Sequence, residues 1–298
     1  MSVLDDVPAP RHVSVMPREV LDLLAPQPGQ IIVDATVGAG GHARLLAQRV
    51  APSGRVIGLD CDLAMLRFAK SRLASLPVSL IHGSFDDLPS VLEELHLSQV
   101  DGIVADLGFC TDQMDDSKRG LSFQKEGPLD MRLDQASGEP AWKLVDSMAE
   151  RDLADLFWKY GEERFSRRVA RRIVAERKRH PLRTTTELAE LVRGCVPRPR
   201  GRHGIDPATR VFQALRIAVN DELGALERFL AILPGCLKPG SRGAVISFHS
   251  LEDRLVKQAF RDRATYQPLT KKPVQASADE VRDNPRARSA KLRAVMKL

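Results

Sequence analysis

The chain has 298 residues, of which 43% are hydrophobic and 28% charged, a composition that is typical of a globular protein and excludes disorder throughout. No apolar run reaches the roughly 18 residues of a membrane span, and the acidic, proline-containing N-terminus lacks the apolar core of a signal peptide. The cysteines, Cys61, Cys110, Cys195 and Cys236, have neither zinc-knuckle nor disulfide-framework spacing and suit a reduced compartment. These features predict a cytoplasmic protein without a metal site.

Positive charge is concentrated in two segments. The net charge is +6, from 45 Lys and Arg against 39 Asp and Glu. Residues 164–202 contain thirteen basic residues against three Glu, and residues 261–298 contain ten against four acidic residues. Two basic segments on a near-neutral body favour a polyanionic partner, and nucleic acid is preferred to a membrane because no amphipathic anchor accompanies them. The alternative is that both segments are solvated surface.

The first hundred residues alternate between strand and helix patterns. Short apolar runs predict strands at Gln30–Asp34, Arg55–Asp60, Val78–His82 and Gly102–Asp106, and helical periodicity lies between them at His42–Val50, Leu63–Leu73 and Leu88–Leu95. The pattern returns as a helix over Pro207–Leu233 and a strand at Gly243–Phe248. Strands separated by helices predict a doubly wound, parallel α/β sheet of the Rossmann-like type.

The middle of the chain has no strand pattern. Helices are predicted over Trp142–Met148, Arg151–Tyr160, Glu162–Arg179 and Thr186–Val192, followed by a basic link at Pro197–Gly204. In the third helix Phe165, Val169 and Ile173 recur every four residues, which predicts that they face inward. We therefore expect an all-helical domain over 114–204, inserted into an α/β domain formed by 1–113 and 205–298. Residues 268–286 are polar and unpatterned and are expected to form a loop or tail.

A glycine loop follows the first predicted strand, with the sequence DATVGAGGH from Asp34 to His42. Glycines let the backbone approach a ligand closely, and Asp60, at the end of the second strand, lies where a carboxylate would hold the ribose of a nucleoside cofactor. The spacing Gly38-x-Gly40-x-x-Ala43 also fits a dinucleotide-binding fingerprint, so an NAD enzyme is an alternative. Asp34 precedes the glycines and suits a methionine moiety better than a pyrophosphate, which favours S-adenosylmethionine.

Asp106 ends the fourth strand, where doubly wound folds form their ligand crevice. It is followed by Leu-Gly-Phe-Cys-Thr-Asp-Gln up to Gln113. Cys110 suggests an alternative reaction, methylation of cytosine C5 through a cysteine adduct. Enzymes of that kind usually have a proline immediately before the cysteine, whereas this sequence has Phe109. A further alternative is an RNA-binding protein without activity.

Several long blocks resemble the bacterial 16S ribosomal RNA cytosine N4-methyltransferase family. They are HVSVMPREVLDLL from His12, DATVGAGGH, GPLDMRLD from Gly127, YGEERFSRRVARRIV from Tyr160, DPATRVFQALRIAVNDEL from Asp206, ISFHSLEDRLVK from Ile246 and NPRARSAKLR from Asn284. The resemblance implies methylation of a cytidine in the decoding region with S-adenosylmethionine as the cofactor. It further implies that 16S ribosomal RNA, within the small ribosomal subunit, is the partner, and a homodimer is one option for assembly.

The resemblance also implies roles for individual residues. The family's cofactor contacts fall on Gly40, Gly41, His42, Asp60, Phe85, Asp106 and Gln113. Asp106 is the candidate that orients the cytosine amine by accepting its N–H groups. Phe109, Arg168, Arg171 and His249 are candidate substrate contacts, and the middle helical domain is regarded in the family as the substrate-binding domain.

Two of these expectations have competing interpretations, and one loop departs from the family pattern. Phe109 could stack on a flipped base or simply pack, and His249-Ser250-Leu-Glu-Asp253 could contact substrate or cap a helix, with Ser250 and Asp253 at capping-box spacing. Cys110, Thr111 and Asp112 replace the two serines and proline usual in the family, which changes the charge of this loop.

Overall fold

A computed structural model describes residues 13–197 and 205–298, so the expected link at Pro197–Gly204 lies almost entirely outside the described residues, as does His12. The chain divides into two compact units. One contains the residues up to Cys110 and from Leu223 onward, and the other is Thr111–Glu222. No helix among the described residues is long and apolar enough to cross a membrane.

The first unit is built on a seven-stranded sheet. Its strands are β1 (Ile31–Asp34), β2 (Arg55–Asp60), β3 (Val78–His82), β4 (Val100–Asp106), β5 (Leu237–Ser247), β6 (Tyr266–Pro268) and β7 (Lys291–Lys297). They lie in the order β3-β2-β1-β4-β5-β7-β6. Strands β1 to β5 are parallel, and β7 pairs antiparallel with β5 and β6. The expected doubly wound α/β sheet is confirmed.

Thirteen α-helices occur in the described residues. They are α1 (Pro17–Leu24), α2 (Gly41–Val50), α3 (Leu63–Leu73), α4 (Leu88–Glu94), α5 (Thr111–Asp115), α6 (Ala141–Ser147), α7 (Glu150–Gly161), α8 (Ser166–Glu176), α9 (Thr185–Cys195), α10 (Ala208–Val219), α11 (Glu222–Cys236), α12 (Ser250–Ala259) and α13 (Ala278–Asp283).

Both faces of the sheet are covered, because successive side chains of a strand point to opposite faces. Ile32 and Val56 pack in one cluster with α1, α2 and α3, whereas the adjacent Val33 and Ile57 pack in another with α4, α11 and α12. This explains why the central strands are continuous apolar runs. It also places the carboxyl ends of β1, β2 and β4 at one edge of the sheet.

The C-terminal part of the sheet differs from the sequence-based expectation. The fifth strand begins at Leu237 rather than Gly243, and β7 was not predicted. The basic residues of β7 interrupt the apolar pattern that would identify a buried strand. One of them, Arg293, is nevertheless buried, and its Nε lies 2.8 Å from Asp253 Oδ1. The expected loop at 268–286 contains α13, whose first turn is capped by the Ser277 side chain.

The second unit has its own apolar core, formed mainly by α7, α8, α9 and α10. In α8, Val169 and Ile173 are fully buried as expected, but Phe165 is 39% exposed. The prediction for Phe165 was wrong because the helix starts at Ser166 and Phe165 is its N-cap residue. Thr184 caps α9 in a capping box with Glu187, which stabilises the start of that helix.

The expected boundary near residue 204 also requires correction. Residues 205–222 belong to the helical unit, since Val211, Phe212 and Leu215 of α10 pack into its core. The helix expected over Pro207–Leu233 is interrupted at Asp221, whose φ is +48°. At the interruption, the Asn220 amide donates to Met131 O and accepts from Leu133 N, so a polar side chain ends the helix by binding a neighbouring loop.

Candidate active site

The glycine loop lies between the end of β1 and the start of α2. Gly38 and Gly40 have φ values of +50° and +83°, which favour glycine. Gly41 is constrained differently: a Cβ at this position would lie 1.8 Å from Ser14 Oγ. The segment before α1 therefore packs directly on the loop, and its close approach requires a residue without a side chain.

Asp60 holds the loop from the end of β2. Its Oδ2 accepts a hydrogen bond from Gly38 N at 2.8 Å, and its Oδ1 accepts one from Asp62 N at 2.9 Å. Burial raises the pKa of Asp60 to about 6, although these two N–H groups favour the charged form. An ionised carboxylate has about four lone-pair positions, so Asp60 retains acceptor capacity for a ligand.

Three unpaired polar atoms converge on the carboxyl ends of β1 and β4. They are Asp34 Oδ2, His42 Nε2 and Asp106 Oδ1, all buried and without a hydrogen-bond partner among the described residues. His42 Nε2 lies 3.5 Å from Asp106 Oδ2. Burial raises the pKa of Asp34 to about 6 against the opposing effect of His42. Buried polar atoms are normally satisfied, so unsatisfied ones at a strand edge indicate a ligand site.

Phe85 lies in a single 3₁₀ turn after β3, at the same edge of the sheet. Its ring packs edge-to-face on Phe229, with the centroids 5.3 Å apart. The turn is rigid because Asp87 Oδ2 accepts a hydrogen bond from Ser84 N at 3.0 Å. A half-buried aromatic ring held in this way can form an apolar wall for a planar ligand group.

The chain is similar over nearly its whole length to a known family of methylases. The model of the MraW methylase family matches residues 9–298. Ribosomal RNA small subunit methyltransferase H of Pelobacter propionicus is 48% identical, with 97% of this chain and 99% of that protein covered. Proteins of the same name from Syntrophotalea carbinolica and Sorangium cellulosum are 49% and 50% identical, covering 98% and 93% of their lengths.

The chain belongs to the MraW methylase family. Enzymes of this family use S-adenosylmethionine, and the residues at the strand edge fit that cofactor. The unpaired carboxylate oxygens of Asp34 and Asp106 suit its cationic methionine part, and Asp60 has acceptor capacity for its ribose. The NAD alternative is thereby excluded.

Two of the remaining sequence-predicted residues, Phe109 and His249, lie in the α/β unit of this methylase. Phe109 is half-buried, and the Arg286 guanidinium lies 5.1 Å from its ring centroid and donates to its carbonyl oxygen. His249 is the N-cap of α12, and its capping-box partner is Glu252. The capping box expected from Ser250 and Asp253 is therefore shifted by one residue, because Asp253 instead pairs with Lys291 and Arg293.

The other predicted contacts lie in the helical unit. Gln113 is buried on the short helix α5. Arg168 and Arg171 are both exposed on α8, as expected, but Arg171 Nε lies 3.6 Å from Glu150 Oε1. Arg167 and Arg168 have no ion-pair partner within the described ranges. Of the two predicted contacts on this helix, Arg168 therefore has no acidic partner in the described chain, whereas Arg171 pairs with Glu150.

Cys110 is buried next to the fourth strand, and its Sγ lies 3.1 Å from Met65 Sδ. A nucleophile for a cytosine adduct must be able to approach the base, whereas this thiol is packed against a methionine. The geometry gives no support to C5 methylation.

Sequence reasoning missed three residues that contact this methylase's site from the chain ends. Ser14 packs on Gly41, Glu280 Oε1 accepts a hydrogen bond from Met16 N at 2.6 Å, and Arg286 covers Phe109. Glu280 and Arg286 lie 264 and 177 residues from their partners in the sequence, whereas Ser14 is close to Gly41 in the chain. Two blocks that carried the family resemblance were the available signal, since the one from His12 contains Ser14 and the one from Asn284 contains Arg286.

Proposed function

We propose that this enzyme transfers a methyl group from S-adenosylmethionine to the N4 amine of a cytidine in the decoding region of 16S ribosomal RNA. The observation that carries the proposal is the set of unpaired buried atoms on Asp34, His42 and Asp106, beside the glycine loop. The printed name of the relatives supports a small-subunit ribosomal RNA as substrate. The motif resemblance supports the N4 position and the decoding region.

The proposal divides the strand-edge residues by their chemistry. Asp60 accepts the ribose hydroxyls, the loop from Gly38 to Gly41 lets the cofactor approach the backbone, and Phe85 provides an apolar wall. Asp34 faces the cationic methionine part. The bound cofactor supplies an electrophilic methyl group on a positively charged sulfur.

Asp106 has a second role in this proposal. The N4 amine is conjugated with the ring and barely basic, so its lone pair must be directed at the methyl group. A carboxylate oxygen that accepts one amine N–H fixes that orientation. Asp106 Oδ1 is buried and unpaired, and the backbone N–H of Asp106 donates to Thr36 Oγ1 at 2.6 Å. The strand end that carries this oxygen is therefore held in place.

The helical unit is the proposed RNA-binding part. Its helix α8 presents Arg167 and Arg168 to solvent without acidic partners in the part of the chain that the structure describes. Cations of this kind bind phosphate groups and release counterions. The proposed substrate is ribosomal RNA in a small-subunit particle in the cytoplasm.

Methyl transfer from labelled cofactor to small-subunit particles that lack the modification tests the proposal directly. The labelled nucleoside, mapped by nuclease digestion and mass spectrometry, should be N4-methylcytidine at one decoding-region position. Asp106→Asn should lower kcat much more than it weakens cofactor binding. Cys110→Ser should keep substantial activity, and a covalent RNA adduct trapped in the parent enzyme would contradict N4 chemistry.

A further inference from the structure

Acidic groups from three different elements act on His42. Asp34 lies on β1, Asp106 on β4 and Glu280 on α13, and each of their charges acts on the imidazole. The side chain of His42 is 5% exposed, and that of Asp34 is 1% exposed. A charge on His42 or Asp34 is therefore compensated by its neighbours rather than by water.

The neighbouring carboxylates oppose the effect of burial on the pKa of this histidine. Burial lowers the pKa of His42, but Asp106, Asp34 and Glu280 raise it, and the combined effect of the carboxylates is larger. His42 Nε2 lies 3.5 Å from Asp106 Oδ2, so this carboxylate is placed to compensate the charge of a protonated imidazole.

We propose that His42 exchanges its proton for the cofactor: the imidazolium compensates Asp34 and Asp106 in the free enzyme, and it gives its proton to solvent when the sulfonium compound binds. This inference rests on the proposed position of the methyl donor at the ends of β1 and β4. The imidazolium and the sulfonium compete for the same carboxylates, and two cations on one buried acidic pair repel each other.

The exchange has a consequence for turnover. In the methyl transfer the N4–CH₃ bond forms, the S–CH₃ bond breaks with its electron pair remaining on sulfur, and nitrogen loses one proton. The sulfonium charge disappears at that moment. Neutral His42, again facing uncompensated Asp34 and Asp106, takes up the proton that the amine loses. The enzyme returns to its original charge when the products leave.

Calorimetric titration with S-adenosylmethionine in buffers of different ionisation enthalpy measures the exchange without any turnover. At pH 7, the slope of the observed enthalpy against buffer ionisation enthalpy should correspond to the release of up to about one proton per cofactor. S-adenosylhomocysteine, which lacks the sulfonium charge, should release fewer protons. His42→Gln should abolish the difference between the two ligands, and His180→Gln, an exposed histidine of the helical unit, should preserve it.

A second measurement uses only the wild-type chain, in case His42→Gln does not fold. Between pH 6.5 and 8.5, above the pKa of about 6 of Asp34 and Asp60, cofactor affinity should rise with pH, because binding releases a proton in this proposal. Binding that is insensitive to both buffer and pH in this range would overturn the proton exchange but leave the proposed function standing. Absence of any cofactor binding by folded enzyme would instead refute the proposed position of the methyl donor.

Discussion

Asp60 connects the glycine loop to β2 and has oxygen lone pairs left for a ligand. Asp60→Ala removes the proposed ribose acceptor and the support of Gly38 N at once. A hydrogen bond to a charged group contributes about 1.5–3 kcal/mol, so S-adenosylmethionine affinity should fall on the order of 10- to 100-fold. Isothermal calorimetry is the measurement.

The matched control for this substitution is Asp101→Asn. Asp101 lies near the start of β4, at the opposite edge of the sheet, and pairs with Lys238 at 2.7 Å. The Asp101→Asn substitution should leave the affinity for S-adenosylmethionine unchanged. Equal losses in both variants would mean that Asp60 acts only through the stability of the sheet.

The buried carboxyl of Asp34 makes stability dependent on pH. Its pKa is raised from 3.8 to about 6 in the folded protein. The folded state therefore binds more protons than the unfolded state between these values, and stability is lost as the pH rises from about 4 to 6. Asparagine does not titrate, so the Asp34→Asn variant should not lose this stability. The difference in free energy of unfolding between the variant and the wild type should therefore shift in favour of the variant by up to roughly 3 kcal/mol when the pH is raised from 4 to 7.5.

Denaturant unfolding of the cofactor-free protein at the two pH values measures this difference. A relative stability that does not change with pH would show that Asp34 has an ordinary pKa in the folded state. The Asp101→Asn variant again serves as the comparison, because its carboxylate is paired with a lysine at the edge of the sheet.

Helix α7 ends at Gly161, where it passes very close to α10. A Cβ on Gly161 would lie 2.4 Å from the backbone oxygen of Arg210, whereas a Cβ on Gly194, in α9, meets nothing within 4 Å. Overpacking against backbone costs about 1–3 kcal/mol, so Gly161→Ala should destabilise the helical unit by that amount. Gly194→Ala should be neutral or stabilise slightly, since alanine favours a helix. Thermal unfolding of both variants tests the contrast.

Elements that depend on local pattern were predictable from the sequence, and those that depend on distant partners were not. Strand β2 has the bounds that its apolar run predicted, because a strand buried on both faces must be apolar throughout. The edge strand β3 also has its predicted bounds, although it is only partly buried. β7 could not be recognised, since the cost of burying Arg293 is offset by Asp253, forty residues away. The interruption at Asp221 likewise depends on a loop that Asn220 binds.

The site residues that follow strands were predictable from the sequence, and those contributed by the chain ends were not. Asp34, Asp60 and Asp106 were recognisable because the carboxyl ends of parallel strands meet at one edge. Ser14, Glu280 and Arg286 reach that edge from the two ends of the chain, and nothing in their local sequence indicates which strand they approach. Phe165 was misassigned because a helix boundary cannot be placed to within one residue from periodicity alone.

Fewer basic side chains are free to bind RNA phosphates than the number of Lys and Arg residues in the sequence suggests, because many of them form ion pairs within the protein. In the C-terminal basic segment, Lys291 and Arg293 pair with Asp253, and Arg282 pairs with Asp279. On α8, Arg171 and Arg172 pair with Glu150 and Glu176. Intramolecular ion pairs reduce the number of counterions that binding can release.

This distribution predicts different salt dependences for two double variants. Arg167→Gln with Arg168→Gln removes the cations without acidic partners in the described chain, and the slope of log RNA affinity against log salt should flatten by up to about one unit per lost contact. Arg171→Gln with Arg172→Gln removes paired cations and should change the slope less. Filter binding to ribosomal RNA at several salt concentrations is the measurement, and equal effects would contradict the ion-pair argument.

The α/β unit is discontinuous in the chain, and this affects its synthesis on the ribosome. Strands β1 to β4 are made first, but β5, which must pair with the open side of β4, follows only after the whole helical unit. At about 5–20 residues per second, the delay is on the order of ten seconds. During that time an apolar strand edge is exposed, and such edges recruit other strands. Nascent chains of this enzyme should therefore depend on chaperones until β5 emerges, whereas the contiguous helical unit can fold earlier.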